Sequence, residues 1–230
     1  MQFDRKTVVV ADLIRAQLGV APSRILVVGC GTGREAAQLA VSFNAQVIGI
    51  DIAPRFDPAA AKVATLRQGD AQALDFPDGS FDFVYSYHAL EHIPDFRRAL
   101  REMRRVLADG GSYCVGTPNR QRLIGYLGSD NATLRDKVVW NAVDWKARLQ
   151  GKFRNEHGAH AGFTRTELQG ELANGLGPAR NVTLPYYLTL YSRKKKYVRM
   201  LDRLHMSNLL FPAIYFVGHR GEVSATEMAA

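Results

Sequence analysis

Unbroken apolar runs alternate along the chain with stretches whose apolar residues recur every three or four positions. Val8, Val9, Leu13, Ile14 and Leu18 recur at helical spacing within residues 4–18, which predicts an amphipathic helix over a sheet edge or a ligand mouth. Ile25 to Val28 carry no polar interruption, as suits a parallel strand covered on both faces. An alanine- and leucine-rich helix over residues 35–43 and a strand over residues 46–51 follow. Beyond the turn at Pro54–Pro58 come a short alanine-rich helix, a weak strand over 65–69 and a fourth strand over 81–87. A helix over 95–107 turns Leu100, Met103, Val106 and Leu107 to one side, Asp109-Gly110-Gly111 is expected to end it, and a fifth strand follows over 112–116. Strands alternating with helices in this way predict an α/β fold with a mostly parallel sheet.

The second half is patterned differently. No strand is evident from residue 120 to about 161, a stretch with Tyr126, Trp140, Trp145 and Phe153 and a predicted helix over 131–149. It reads as an insertion after the fifth strand, a lid over a pocket at the strand ends. Thr164 and Glu167 have capping-box spacing at the start of another helix, ended by Gly175 to Gly177. A sixth strand is predicted over 179–190, and then a helix over 193–208, basic on one side with Tyr197, Met200, Leu201 and Leu204 on the other. A last strand spans 212–218, and the residues beyond 220 read as a frayed tail.

The first strand stops in Gly29, Gly31 and Gly33, residues free to take φ > 0 and to let a ligand approach the backbone closely. The helix after them turns its N-terminal N–H groups toward whatever the loop holds. Asp51 closes the second strand about 20 residues on, where a carboxylate can accept two ribose hydroxyls. Asp70 stands at the end of the third strand, and ligands of open parallel sheets sit outside such strand ends. The glycine spacing leaves two ligands open. Gly29-x-Gly31-x-Gly33 resembles the first motif of class I S-adenosylmethionine-dependent methyltransferases, whereas Gly31-x-Gly33-x-x-Ala36 also satisfies a dinucleotide fingerprint.

At 230 residues the chain is long enough for one domain with a small appendage. No apolar run reaches the ~18 residues a span requires, and the start lacks a basic-then-apolar signal layout, so a cytoplasmic protein is expected. Cys30 and Cys114 belong to no CxxC pair and read as small buried fillers. The formal charge of +8 favours acidic partners, but much of the excess falls between Arg97 and Arg105, on a predicted helix, and between Arg193 and Lys196.

Taken in order, Val28-Gly-Cys-Gly-Thr-Gly33, Asp51, Gly69-Asp-Ala71, Phe81-Asp-Phe-Val-Tyr85, Ala89-Leu-Glu-His-Ile-Pro94, Val106-Leu-Ala-Asp-Gly-Gly111 and Thr117-Pro-Asn119 resemble the class I methyltransferases, most of all the small-molecule branch with the ubiquinone and menaquinone methyltransferases. The resemblance covers residues 24 to 119. It implies a doubly wound, seven-stranded, mostly parallel sheet of Rossmann-like type, with the last strand antiparallel beside the fifth and a helical lid insertion after the fifth. The implied organisation is an N-terminal helix over 1–22, a donor-binding half over 23–119, the insertion over 120–161, the remaining half over 162–220 and a tail over 221–230. One departure is Val27, where the family often carries an acid.

The resemblance assigns the methyl donor S-adenosylmethionine to Gly29, Cys30, Gly31, Gly33, Asp51 and Ile52, with Asp70 and Ala71 at the adenine and Tyr87 near the sulfonium. His88 and His92 are the candidate bases, and His88, Trp140, Trp145, His157 and His160 the candidate contacts to a small-molecule acceptor. His88-x-x-Glu91-His92 also spells a zinc-protease string, but it leaves a strand and meets Pro94 instead of lying within a helix. Some quinone-pathway relatives use a divalent ion at acids of this loop, where Glu91 and His92 stand; no metal is expected here. The basic 193–208 segment suits peripheral membrane contact, and a solvated helix is the plainer reading. Oligomeric state is open, a homodimer included. Two alternatives stand beside small-molecule methyl transfer. One is an RNA-modifying or nucleic-acid-binding protein, suggested by the charge but lacking aromatic ribonucleoprotein motifs, so no nucleic acid is expected. The other is an NAD(P)-dependent oxidoreductase, for which Tyr191-x-x-x-Lys195 matches a dehydrogenase spacing late in the chain.

Overall fold

The computed structural model describes residues 4–126, 132–157 and 160–221, without the side chain of His157. Residues 222–230 of the expected tail and the first residue of the predicted lid helix, Asn131, lie outside the described residues. Seven strands form one sheet in the order β3-β2-β1-β4-β5-β7-β6. They are β1 (Arg24–Val28), β2 (Gln46–Asp51), β3 (Thr65–Gln68), β4 (Phe81–Tyr87), β5 (Leu107–Pro118), β6 (Ala179–Asn181) and β7 (Ala213–His219). β1 to β5 pair in parallel, and β7 runs antiparallel between β5 and β6, as expected.

Helices cover both faces. α1 (Arg5–Leu18) starts where the Asp4 carboxylate accepts the Lys6 amide and ends at left-handed Gly19. It packs on α2 (Arg34–Phe43) and, with β1, builds one half of the core around Ile14, Ile25 and Leu39. α3 (Phe96–Val106) and α5 (Arg165–Gly175) fill the other face around Leu100, Met103 and Leu172, and the Thr164–Glu167 capping box is present. Of the basic cluster on α3, Arg97 pairs with Glu171, and Arg105 with Glu102 and Asp78. α4 (Leu134–Leu149) belongs to the insertion.

Three expectations are corrected. Residues 179–190 are not one strand: β6 stops at Asn181, and α6 spans Thr183–Leu190. Pro185 explains the break, because it cannot donate to a ladder but is tolerated in a first helical turn, where the Asn181 side chain accepts the Thr183 amide at 2.9 Å. The helix before β5 ends at Val106, not at the glycines; Leu107 is already extended and paired with Phe81, so β5 begins five residues before the expected 112. The predicted 193–208 helix is broken into a 3-10 turn, α7 (Lys195–Arg203) and α8 (Ser207–Leu210). On α7 it is Val198 that is buried, while Tyr197, Met200 and Leu204 are exposed.

Candidate active site

The sheet order reverses between β1 and β4, and the loops after these two strands diverge there. Open parallel sheets bind ligands at this place. The glycine loop follows β1. Gly29 and Cys30 both donate their amides to the Ile50 carbonyl at 2.9 Å, and Gly29, Gly31 and Gly33 all take positive φ. Asp51 locks the loop from β2: its carboxylate accepts the Gly31 amide at 2.8 Å and the Ala53 amide at 2.9 Å.

A cavity of about 830 Å³ opens at these strand ends. Gly29, Gly31, Asp51, Ile52, Asp70 and Ala71 line it. Two carboxylates beside close-approach backbone suit a nucleoside with ribose hydroxyls and a base amine. Hydrogen bonds from the Gln72 backbone and side chain hold the Asp70 carboxyl below its usual value, so it is an anion ready to accept. Three expected cofactor residues stand elsewhere. Gly33 packs on Leu66, and a Cβ there would lie 2.1 Å from that side chain. Cys30 is buried, its thiol pushed up to about 12 by burial first and by Asp51 second. Tyr87 lines a second cavity instead.

That second cavity holds about 340 Å³. Six tyrosines line it: Tyr87, Tyr126, Tyr186, Tyr187, Tyr191 and Tyr215. Tyr215 stacks on Tyr87 at 5.4 Å and on Tyr186 at 4.0 Å between ring centroids. Burial raises the Tyr87, Tyr186 and Tyr215 phenols, so they are neutral hydrogen-bonding groups. Lys6 and Arg122 bring positive charge to the lining, which contains no carboxylate among the described residues.

His88 lines both cavities. It sits at φ 52°, a left-handed backbone that costs an L-residue of order 1–2 kcal/mol and in which histidine is over-represented. Its ring lies 4.1 Å from that of Tyr87. Burial in the cleft, then the charges of Arg122, His160 and His92, push its pKa down. The 41% of its side chain that stays open to the cavities moderates the shift without changing its direction, and the imidazole is neutral at physiological pH. His92, on the larger cavity, meets His160, on the smaller, edge to face at 4.4 Å.

Beneath these rings lies Glu91, its side chain fully buried and both carboxylate oxygens without a hydrogen-bond partner. His88 Nδ1 and His92 Nε2 each stand 3.9 Å from its Oε1. Burial raises its pKa from 4.5 to about 7. Glu91, His92 and His160 bring one ligand atom each within 4.8 Å, the arrangement among the described residues able to hold a divalent ion. His160, far along the chain, was invisible to a reading of the 88–92 string.

The insertion is tied down over the strand ends. The buried Arg122 guanidinium donates to the carbonyls of Asn119, Ala161 and His160 and to the Asp144 carboxylate of α4. Tyr126 and His160 thereby reach the smaller cavity, whereas Trp140 and Trp145 line neither: Trp140 meets Tyr126 edge to face, and Trp145 donates to the Leu123 carbonyl. The side chain of His157 lies outside the described residues. A strand over 179–190 gives no sign that Tyr186 and Tyr187 turn to the smaller cavity from α6, and Tyr215 lies on β7 with no local signal of a pocket.

Strand order, glycine loop and the acid ending β2 define an α/β domain of Rossmann-like type. Residues 26–115 match the family described as "Methyltransferase domain". Curated relatives include demethylmenaquinone methyltransferase of Thermus thermophilus, 40% identical over 103 residues, 41% of this chain and 47% of that protein. Trans-aconitate 2-methyltransferase of Deinococcus radiodurans is 34% identical over 162 residues, 67% of this chain and 58% of that protein. Ajmaline N-methyltransferase of Rauvolfia serpentina is 35% identical over 103 residues, 41% and 35% of the two chains. The chain thus spans less than two thirds of the length of each of these relatives. Among solved structures, a SAM-dependent methyltransferase of Thermotoga maritima has a TM-score of 0.55 at 19% identity, over 93% of this chain and 89% of that one. The [4+2]-cyclase SpnF has the same TM-score, 0.55, at 17% identity, over 94% and 80%. The fold is therefore shared with a protein named for other chemistry, and the function has to be argued from the site.

Proposed function

We propose that this protein transfers a methyl group from S-adenosylmethionine, held in the glycine-loop cavity, to an oxygen, nitrogen or carbon of a small molecule held in the tyrosine-lined cavity. The observation that carries the reading is that the two cavities meet at His88. Bound there, the cofactor supplies a methyl carbon on a positively charged sulfur. The acceptor atom bonds to that carbon as the carbon–sulfur bond breaks, the sulfur leaves as a neutral thioether and the acceptor gives up a proton. Charge disperses along this path, so alignment and exclusion of water matter most.

Each part of the site has a place in this reading. Asp51 holds the ribose, and Asp70 with Ala71 the adenine. Tyr126, His160 and the stacked Tyr87–Tyr215 pair enclose the acceptor, with the 120–161 insertion as lid. A neutral, weakly basic His88 acts as a hydrogen-bonding wall between the two ligands rather than as a strong base. Arg122, whose charge is shared with Asp144, and Lys6 stand in a lining without a carboxylate among the described residues, which favours a neutral or anionic acceptor over an ammonium ion. The small-molecule names of the curated relatives, a quinone precursor, an organic acid and an alkaloid, support this class of acceptor.

The test is binding and transfer with the purified chain. Calorimetry should give one site for S-adenosylhomocysteine and none for NAD, and label from methyl-tritiated S-adenosylmethionine should pass to a component of a metabolite extract. Tight NAD binding without S-adenosylhomocysteine binding would refute the reading.

A further inference from the structure

The insertion helix α4 is built inside out. Asn141, Asp144 and Arg148 share its inner side and bond to Gly125, Arg122 and the carbonyls of Arg120 and Arg122. At helical spacing Val139 and Val143 come out on the opposite side, where both are exposed, and Val138 and Leu149 flank them at 62% and 86% exposure. Soluble helices show the reverse pattern, so this outer face calls for a covering.

A second exposed surface adjoins it. The Trp145 indole donates to the Leu123 carbonyl, and the Leu123 amide donates to the Leu209 carbonyl, joining α4 to α8 through three exposed apolar side chains. Next to α8 stands α7, where Tyr197, Met200 and Leu204 are exposed among Lys195, Lys196, Arg199 and Arg203. With Arg193 and Lys194 these make six exposed cations, none in an ion pair among the described residues. The one acid between residues 191 and 206 is Asp202, and on α4 Asp144 is turned inward and Asp136 is held by its capping box, leaving Arg135 and Lys146 beside the valines. Tyr191, at the edge of the basic stretch, lines the smaller cavity.

We propose that this face docks on an anionic lipid bilayer, with α4 and α7 lying in the headgroup region and the mouth of the tyrosine cavity beside the membrane. Interfacial helices combine these features: apolar side chains to enter the acyl boundary and cations to meet anionic headgroups. A second copy of this chain would set cations against cations. A nucleic acid would leave the valines and leucines uncovered.

The experiment is sedimentation of the full chain with phosphatidylcholine vesicles with and without phosphatidylglycerol, using two exposed-site variants. One is Lys195→Gln/Lys196→Gln/Arg199→Gln/Arg203→Gln; the other is Val139→Ser/Val143→Ser/Leu204→Ser. The chain should pellet with phosphatidylglycerol vesicles, weaken with salt, and lose about tenfold or more in partitioning in each variant. Both variants should keep the melting temperature and the S-adenosylhomocysteine affinity of the parent, so loss of lipid binding is separable from failure of the methyl-transfer reading. No partitioning, or partitioning that neither variant weakens, would overturn the proposal. So would RNA binding that only the charge variant loses, or a concentration-dependent dimer that the serine variant dissolves.

Discussion

Replacing Asp51 by alanine isolates the donor site from the fold. The Asp51 carboxylate spends one acceptor position on the Gly31 amide and one on the Ala53 amide, at 2.8 and 2.9 Å. A carboxylate offers about four such positions, which leaves two for a pair of ribose hydroxyls. A hydrogen bond to a charged group contributes about 1.5–3 kcal/mol, and because the two share one carboxylate the loss is set at that range rather than at its double. The expected outcome is a Kd for S-adenosylhomocysteine raised roughly 10- to 150-fold by calorimetry. The loop itself should survive, because Gly29 and Cys30 remain bonded to Ile50. A modestly lower melting temperature, from loss of the Gly31 and Ala53 amide bonds, with a cooperative transition is therefore expected alongside the weakened binding. An affinity within about twofold of the parent would remove Asp51 from the ribose site and refute the reasoning.

Other perturbations reach other parts of the account. In Gly29→Ala the new Cβ would lie 2.3 Å from the Ala89 Cβ at a φ of +72°, so left-handed strain of about 1–2 kcal/mol adds to overpacking of about 1–3 kcal/mol. A denaturant midpoint equal to the parent's would contradict this, and Ala89→Gly on the same chain should recover the overpacking part. Glu91 titrates near 7 in the fold instead of 4.5, so between those values the folded state holds the proton more tightly and its contribution to stability falls as pH rises. Glu91→Gln, which does not titrate, should gain on the parent by up to roughly 3 kcal/mol from about pH 5 to about pH 8; a pH-independent difference in denaturant melts would be inconsistent with a buried, unpaired carboxyl. His88→Asn keeps a side chain that tolerates left-handed backbone, and should lower the methyl-transfer rate about tenfold or more while S-adenosylhomocysteine affinity stays put. An unchanged rate would take His88 off the path between the two ligands.

The lining of the larger cavity was legible in the sequence because its determinants are local. Gly29 to Gly33 follow one strand directly, Asp51 and Asp70 end the next two, and each signal is a residue type at a strand terminus. That of the smaller cavity was not, since its wall is gathered from β4, the insertion, α6 and β7. Tyr87, which the resemblance places near the sulfonium, lines the smaller cavity, and Trp140 and Trp145 of α4, expected at the acceptor, line neither cavity. The buried polar contacts of Asn141, Asp144 and Arg148 turn that helix the other way. Pro185 was the one local signal that could have recovered the tyrosine helix, since it argues against a ladder strand and for a helical first turn.

The central claim is that donor and acceptor lie in separate cavities that meet at His88. A crystal structure with S-adenosylhomocysteine tests it most directly. The ribose is expected on Asp51, the adenine beside Asp70 and Ala71, and the sulfur turned toward His88 and the tyrosine cavity. Adenosine seated elsewhere, or a sulfur facing away from His88, would contradict it.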